Sequence, residues 1–340
     1  MGCIKFSLLE KHSTTNILSG KVFKKIKPVN SGFGDFNMQL QQDLHIHTHC
    51  SCDGACAQID AIVKGCQAAG IKHFGISDHL HTKFNMPDIE IARKEFLEYG
   101  PVPGFHFGIE VSCATQWECE KIAKRDYASC FTCEVNGKKF QTMTPIDGIM
   151  YGGPANGPLM VDLTQEDIDR LGIEYVIGGV HKPNYTEQTI PTMIDDYFNQ
   201  HCYLAKHELV DVLAHPWDGL GFWSGYNIVT HDPADYRVDA FEKIPQEYWD
   251  ELAHLLLTHN KLAELNFGTI CSRRFEGKIA RYTIEKLAEW RDKGVKFTYG
   301  SDLHGAKYPL DGEVTIYDAM KCLTEYGFTE ADFALPPRLK

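Results

Sequence analysis

The sequence predicts an α/β fold in which parallel strands form a sheet covered by helices. Three observations lead to this prediction. The chain has 340 residues, which is enough for one large domain with a full core. Seven short apolar runs have the character of strands, and they alternate with helix-like segments, with an interruption after the third strand. One connection, the third, is much longer than the others. Such alternation favours parallel strands, either closed as a barrel or open.

We expect one domain, residues 1–340. Its core would span residues 43–340, because the alternation begins after a leader at residues 1–42. In the first helix, Ile59, Ile62 and Val63 recur with helical spacing, and Gly70 ends the pattern. The predicted strands are Leu44–Thr48, His73–Ser77, Phe105–Val111, Tyr175–Val180, Val210–Ala214, Leu262–Phe267 and Val295–Gly300. The predicted helices are Ala57–Ala69, Ile89–Tyr99, Thr192–Lys206, Gln246–Thr258, Lys278–Lys293 and Glu313–Tyr326.

An insertion at residues 113–173 interrupts the connection after the third strand. Because it leaves the carboxyl end of a strand, it is well placed to act as a lid and to set substrate selectivity. The stretch Val135–Lys138 reads as a hairpin turn. The insertion also contains four cysteines, whose spacing is not that of a zinc ribbon, so we favour simple burial over structural zinc. These cysteines are Cys113, Cys119, Cys130 and Cys133.

Composition excludes several classes of protein. The net charge of −12 and the isoelectric point of about 5.7 argue against a nucleic-acid partner. No stretch approaches the roughly 20 apolar residues of a membrane helix, and no signal peptide is recognisable. We therefore expect a cytoplasmic protein with no membrane partner, in which the 12 cysteines are reduced. The sequence does not indicate the oligomeric state.

Metal-affine side chains recur where the predicted strands end. The stretch LHIHTHCSCD at residues 44–53 carries His45 and His47 on one face of a strand, about 6.7 Å apart along the chain. Six of the seven strands deliver a histidine, aspartate or glutamate at or near their carboxyl ends, the rim where parallel α/β folds build active sites. Imidazole and carboxylate ligands suit two or three ions of Zn, Mn or Fe. The nine candidate ligands are His45, His47, Asp53, His79, Glu110, His181, His215, Asp302 and His304.

Any one of these residues alone is most simply a polar loop residue, but nine on one rim are improbable by chance. The motifs DLHIHTHCSCDG, GISDH, GIE, GGVH, AHP and GSDLH, over Asp43 to His304, resemble the successive metal motifs of the polymerase and histidinol phosphatase (PHP) superfamily. The resemblance implies a distorted (β/α)7 TIM-like barrel, a trinuclear metal centre and phosphoester hydrolysis.

The resemblance also implies how the ligands divide among three ions. Glu110 would bridge two of the ions, and metal-bound water would be the nucleophile, with Glu110 and Asp302 in the catalytic centre. The first ion would be bound by His45, His47, Glu110 and Asp302, the second by Glu110, His181 and His215, and the third by Asp53, His79 and His304. Departures from the family pattern, for which we expect packing or loop roles, are His49, Cys50, Cys52 and Cys56.

Other residues are candidates for binding substrate. Arg273 and Arg274 follow the sixth strand and offer guanidinium groups that match phosphate oxygens, although surface ion pairs are an equal alternative. His231 and Asp218, in the loop after the fifth strand, are both candidates for the general acid. His81 could line the rim rather than bind metal.

These residues predict a metal-dependent phosphatase that acts on a small phosphorylated metabolite, with histidinol phosphate as the candidate that the resemblance names. A phosphodiesterase or nuclease that acts on nucleotides is the alternative enzyme. A non-catalytic metal-binding module is the third reading, but such a module has no need of a complete ligand set.

Overall fold

The computed structural model describes residues 38–125, 132–135, 138–141, 148–150, 154, 156–184, 189–225, 236–308 and 316–339, with the backbone alone at 132–135, 138–141 and Arg274. The leader to residue 37, His231, Cys130 and the side chains of Cys133 and Arg274 therefore lie outside the described residues. Residues 37–340 belong to one compact unit.

Strands and helices alternate along the described chain. The strands are β1 Gln42–Ile46, β2 His73–Ile76, β3 His79–Leu80, β4 Phe105–Ser112, β5 Ala114–Thr115, β6 Thr132–Val135, β7 Lys138–Gln141, β8 Leu159–Met160, β9 Tyr175–Gly179, β10 Val212–Leu213, β11 Leu262–Asn266 and β12 Phe297–Gly300. The helices are α1 Ile59–Ala68, α2 Met86–Tyr99, α3 Gln116–Ala123, α4 Gln165–Leu171, α5 Ile190–Lys206, α6 Leu220–Trp223, α7 Gln246–Thr258, α8 Phe267–Ile270, α9 Lys278–Asp292 and α10 Ile316–Glu325. Short 3₁₀ helices lie at Lys83–Asn85, Val238–Lys243, Arg274–Gly277, Glu330–Asp332 and Pro337–Leu339.

Seven of the strands form a nearly closed parallel barrel in the order β1-β2-β4-β9-β10-β11-β12. The last strand returns to the first, because Asp302 N donates to His45 O at 2.8 Å and His47 N donates to Leu303 O at 3.0 Å. The extra strand β3 pairs with β4, and its His79 lies opposite Glu110. The predicted α/β barrel is confirmed, and each of the seven predicted strands overlaps a barrel strand.

Apolar packing fills both sides of the barrel wall. Inside, a small cluster that includes Leu44, Tyr175 and Ile177 closes the end opposite the predicted ligands. The Tyr175 hydroxyl donates to Leu44 O at 2.7 Å, across the interior. Outside, a larger cluster joins the strands to the helices, with Trp217, Trp249 and other fully buried side chains. No helix among the described residues has the length and apolar character to span a bilayer.

The insertion after β4 is anchored to the barrel by polar contacts. Lys182, which follows β9, is buried and its Nζ lies 2.7 Å from Glu118 Oε2 on α3. Lys182 Nζ also donates to Met150 O at 3.2 Å, and Thr82 Oγ1 donates to Gly148 O at 2.7 Å. The insertion is therefore joined to the loops that follow β3 and β9.

The described parts of the insertion also test two sequence predictions. Strands β6 and β7 pair antiparallel with Val135 opposite Lys138, which confirms the predicted hairpin. Cys113 and Cys119 are buried free thiols, as simple burial predicts. The four-cysteine zinc alternative depends on Cys130 and Cys133 and stays a hypothesis.

Candidate metal centre

The structure brings all nine predicted ligands together at one mouth of the barrel. β1 presents His45 and leads into His47, and β3 and β4 present His79 and Glu110 side by side. The remaining ligands lie in the loops that follow β1, β9, β10 and β12. Two of them have a backbone in the left-handed region, which is uncommon outside glycine and typical of functional sites: His215 at φ 22° and Asp302 at φ 53°.

Glu110 is the centre of the cluster and is fully buried. Its two carboxylate oxygens face different imidazoles. Oε2 lies 2.9 Å from His79 Nδ1 and 3.1 Å from His45 Nε2. Oε1 lies 2.8 Å from His215 Nε2 and 3.0 Å from His181 Nε2. One carboxylate thus connects two groups of nitrogen donors, as a bridging ligand must.

The first group is completed by Asp302. Its Oδ1 lies 3.1 Å from His47 Nε2 and 3.5 Å from His45 Nε2, and the two Nε2 atoms are 3.0 Å apart. A third set of donors lies beside the first. Asp53 Oδ2 is 3.3 Å from His79 Nε2 and also contacts His304 Nε2. The donor atoms of His45, His47 and Glu110 lie within 4.8 Å of one another, as do those of His47, His79 and His304, so each of these groups could hold an ion.

Four of the imidazoles direct Nε2 into the cluster while Nδ1 faces another partner. His45 Nδ1 lies 2.6 Å from Glu264 Oε1, and His181 Nδ1 lies 2.6 Å from Ser112 Oγ. His47 Nδ1 lies 3.4 Å from Ser51 Oγ. In the fourth, His304, Nδ1 lies 2.8 Å from Asp302 O. Partners of this kind orient metal-binding histidines and select their tautomer.

Glu264 and Ser112 are functional residues that the sequence reasoning did not identify. Glu264 Oε2 also accepts from His215 N at 2.8 Å, so this carboxylate supports a ligand on each of two strands. Ser112 Oγ also lies 2.6 Å from His81 Nδ1, so His81 supports His181 from behind. The sequence did carry one signal: Glu264 is a charged residue within the apolar run Leu262–Phe267, on the one predicted strand without a ligand.

A glycine makes room for the second group of donors. A Cβ atom on Gly179 would lie 2.6 Å from Glu110 Oε1, 2.7 Å from His181 Cε1 and 2.9 Å from His215 Cε1. These separations are shorter than those of real Cβ contacts, so a side chain there would push the donors apart. The glycine before Val180 in the GGVH motif is therefore a requirement of the site.

The electrostatics of the cluster favour ionised carboxylates. Burial opposes ionisation of Glu110, but His45, His181 and His79 hold its pKa well below its usual range. Burial likewise opposes ionisation of Asp302, and the neighbouring His45, His47 and His304 hold its pKa well below the usual range. Burial, with His79 nearby, lowers the pKa of His47 to about 3. His47 is thus neutral near pH 7, the form in which imidazole binds metals.

Two buried atoms indicate that the cluster is built for cations. Glu110 Oε2 and His79 Nδ1 are 2.9 Å apart, yet neither makes a hydrogen bond to any described group. Buried polar atoms without partners are costly, and each such atom in a folded protein needs an explanation. A divalent ion on which both lone pairs converge would explain these two atoms, so the donors fit a metal centre.

The donors open into a cavity of about 180 Å³. Asp218 lines its mouth with an exposed carboxylate, and the surrounding protein desolvates this group and raises its pKa. Arg273 is exposed and lines a different cavity, of about 230 Å³, with Arg281 and Tyr326. A phosphate-binding role for Arg273 and Arg274 therefore stays a prediction.

Comparison with known proteins gives one family and a set of similar structures. The family model of the PHP domain matches residues 43–266. The histidinol phosphate phosphatase of Lactococcus lactis subsp. lactis Il1403, whose structure contains zinc, L-histidinol and phosphate, is similar with a TM-score of 0.55 and 16% identity, over 88% of this chain and 98% of that chain. A structure named as a candidate histidinol phosphatase of Listeria monocytogenes has a TM-score of 0.48 and 11% identity, over 84% and 99%. No curated protein matches the chain.

A parallel barrel with imidazoles and carboxylates gathered at its mouth defines a metal-dependent hydrolase. The family model covers more than half of the chain, including seven of the nine ligand positions. The chain therefore belongs to the PHP family, and it is a metal-dependent phosphoesterase. The remaining two positions, Asp302 and His304, lie beyond the match, and the structure brings them to the same cluster.

Proposed function

We propose that the protein hydrolyses a phosphate monoester of a small metabolite, with histidinol phosphate as the first substrate to test. The convergence of three donor sets around one carboxylate, Glu110, is the observation that carries this proposal. When bound, divalent ions would neutralise the charge of the phosphate and lower the pKa of a water molecule to near neutrality. The identity of the ions, among zinc, manganese and iron, is left to experiment.

The proposed division of the ligands is the one that the resemblance to the PHP motifs implies. Glu110 would contribute one carboxylate oxygen to the first group of ligands and the other to the second group. A third group lies beside the first, so the cluster would hold up to three ions. The first group is His45, His47, Glu110 and Asp302; the second is Glu110, His181 and His215; the third is Asp53, His79 and His304. The orphaned atom Glu110 Oε2 supports the bridging role of this carboxylate.

We assign Asp218 as the proton donor to the leaving alkoxide. It lines the cavity beside His215 and Gly219, and its raised pKa increases the protonated fraction that an acid catalyst needs. Its position at the mouth suits a leaving group that points toward solvent. His231 lies outside the described residues and is the alternative donor.

The small cavity favours a small substrate. Its volume of about 180 Å³ is below the roughly 300 Å³ of a typical drug-sized ligand site, so it suits a phosphoryl group more than a long chain. The net charge of −12 also disfavours a nucleic acid. The Lactococcus lactis protein was crystallised with L-histidinol and phosphate. The ester of these two molecules, histidinol phosphate, is therefore the first substrate to test.

The insertion is proposed to act as a lid. Its contacts reach the loops that follow His79 and His181, through Thr82 with Gly148 and through Lys182 with Glu118. A segment anchored beside two ligand loops can close over the mouth and select the leaving group.

The function can be tested with purified protein loaded with zinc or manganese. We expect hydrolysis of histidinol phosphate above that of an aryl phosphate, and little hydrolysis of a bis-aryl phosphodiester or short oligonucleotides. His181→Ala and Asp302→Ala should each reduce turnover severely while the circular dichroism spectrum is unchanged. His106→Ala, at the opposite end of β4, is the control. Activity on diesters alone, or wild-type rates in both ligand variants, would overturn the proposal.

The proton donor has its own test. Asp218→Asn should slow substrates with a poor leaving group, such as an alkyl phosphate, much more than an aryl phosphate, whose leaving group needs no proton. Equal losses on both substrates would remove Asp218 from the acid role and leave the phosphatase proposal intact.

A further inference from the structure

A second cluster of metal-affine side chains lies outside the nine-ligand centre. His49 and Cys50 are in the loop after β1, at positions where this chain departs from the PHP motifs, and Glu95 projects from α2. His49 Nε2 lies 3.3 Å from Glu95 Oε1 and 3.8 Å from Cys50 Sγ. All three donor atoms lie within 4.8 Å of one another. Cys50 also packs against the hydrophobic core.

Two of the three separations are close to those around one tetrahedral ion. Zinc bonds of about 2.0 Å to nitrogen or oxygen and about 2.3 Å to sulfur place tetrahedral ligands about 3.3 Å (N to O) and about 3.5 Å (N to S) apart. The observed distances are 3.3 and 3.8 Å. An imidazole–carboxylate ion pair explains only the shorter of these distances, whereas a shared ion explains why the thiol is part of the group.

The surroundings suit a cation that can reach the site from solvent. The side chains of His49 and Glu95 are 33% and 35% exposed, so an ion has an entry path and an open fourth position for water. Burial, together with the carboxylates of Glu95, Asp78 and Asp88, raises the pKa of the Cys50 thiol to about 11, so a bound cation must displace its proton. Among borderline ions, zinc accepts nitrogen, sulfur and oxygen donors together.

We propose that His49, Cys50 and Glu95 form a peripheral zinc site, separate from the catalytic centre. A bound ion would join the loop after β1 to helix α2. That loop also carries His47 and Asp53, two of the nine ligands, so the ion would limit the movement of both.

Cobalt(II) is a direct probe because thiolate ligands give it an intense charge-transfer band in the near ultraviolet. The nine proposed ligands of the catalytic centre contain no sulfur, so that centre does not contribute to the band. We expect the band in the wild-type protein and its loss in Cys50→Ser. We expect it to be retained in Cys202→Ser, which removes another half-buried thiol. The zinc content of Cys50→Ser should fall by one ion per chain.

Further variants keep the test decisive. Glu95→Gln should weaken cobalt binding, measured by titration of the same band, at least tenfold. Glu98→Gln, which removes a carboxylate one turn further along α2, should leave it unchanged. A double variant, Cys130→Ser with Cys133→Ser, controls for the thiols of the insertion and should retain the band. Absence of the band in the wild type, its persistence in Cys50→Ser, or its loss in the double variant would each overturn the proposal.

Discussion

Replacement of Glu264 by glutamine tests whether this carboxylate supports the metal centre. In the structure its two oxygens face two donors, His45 Nδ1 at 2.6 Å and His215 N at 2.8 Å. A carboxylate accepts from both, whereas an amide has one acceptor and one donor. In Glu264→Gln, one N–H must therefore face another N–H, whichever way the amide turns. The volume hardly changes, so the defect is one of hydrogen bonding and charge.

The expected effect follows from the role of such partners. Loss of the group that orients a metal-binding histidine typically costs about 10- to 100-fold in metal affinity or activity. This range corresponds to about 1.4–2.7 kcal/mol. A buried donor left without its acceptor costs a further amount of stability, about 1–3 kcal/mol. Glu264 is almost fully buried, so solvent cannot replace the lost acceptor.

The assay compares metal affinity, turnover and stability in Glu264→Gln with those in a matched control. Glu174 makes the same kind of contacts at the opposite end of the barrel: its Oε2 lies 2.9 Å from His106 Nδ1 and its Oε1 accepts from Phe107 N. Glu174→Gln should leave metal affinity unchanged. If Glu264→Gln bound metal and turned over substrate as the wild type does, the support assigned to this carboxylate would be wrong. If both variants lost affinity equally, the effect would be one of general stability.

Three further predictions address other parts of the molecule. Gly179→Ala should lower turnover at least tenfold, because its Cβ would displace Glu110, His181 and His215. Gly305→Ala, where a Cβ meets only ordinary contacts, should retain the wild-type rate. Similar rates in both variants would refute the packing argument. Glu118→Gln should destabilise the fold by about 3–5 kcal/mol in denaturant unfolding because it removes the carboxylate that contacts the buried Lys182 charge, and adding Lys182→Met should recover part of the loss. No change would contradict the anchoring role. Removal of metal by a chelator should lower the melting temperature, since metal at 100 times its Kd stabilises the fold by about 2.7 kcal/mol; an unchanged Tm would mean that the ions contribute nothing to folding.

The fold and the ligand set were predictable because both depend on local signals. Each strand is a short apolar run, and each ligand lies at or near the end of one, so parallel pairing alone gathers the set at one rim. One boundary was wrong in a way that shows the limit: α2 begins at Met86, not Ile89, because Pro87 fits the first turn of a helix. Strand β3, only two residues long, was also missed, since such a run carries no periodicity.

The supporting residues were not predictable in the same way. Glu264 and His45 are 219 positions apart, and their contact depends on the register of strands on two sides of the barrel closure. Ser112 is an ordinary serine in sequence, and it is placed between His81 and His181 only by the pairing of β4 with β9. The proposed metal ligands are recognisable by the type of their side chains, whereas the residues that orient them acquire their role from the fold.

Protons and metal ions compete for the same nitrogen atoms in this cluster. Burial alone would lower the pKa of His79 and His215, but contacts with Glu110 and, for His79, Asp53 outweigh it. The pKa values rise to about 10 and about 9. Without metal, both imidazoles therefore hold a proton at pH 7. A raised pKa means that this pairing stabilises the metal-free fold at neutral and lower pH and is lost as the pH rises through 9 to 10.

Metal binding must displace these protons, so affinity should rise with pH between about 7 and 9 and binding should release protons. Titration calorimetry at pH 7 in buffers with different ionisation enthalpies measures the number released. His215→Ala should release fewer protons than the wild type, while Ser51→Ala, which removes only a partner of His47, should release the same number. An affinity independent of pH, with no proton released, would mean that the imidazoles around Glu110 are already neutral. The carboxylate would then be stabilised by something other than the charges assigned to its neighbours.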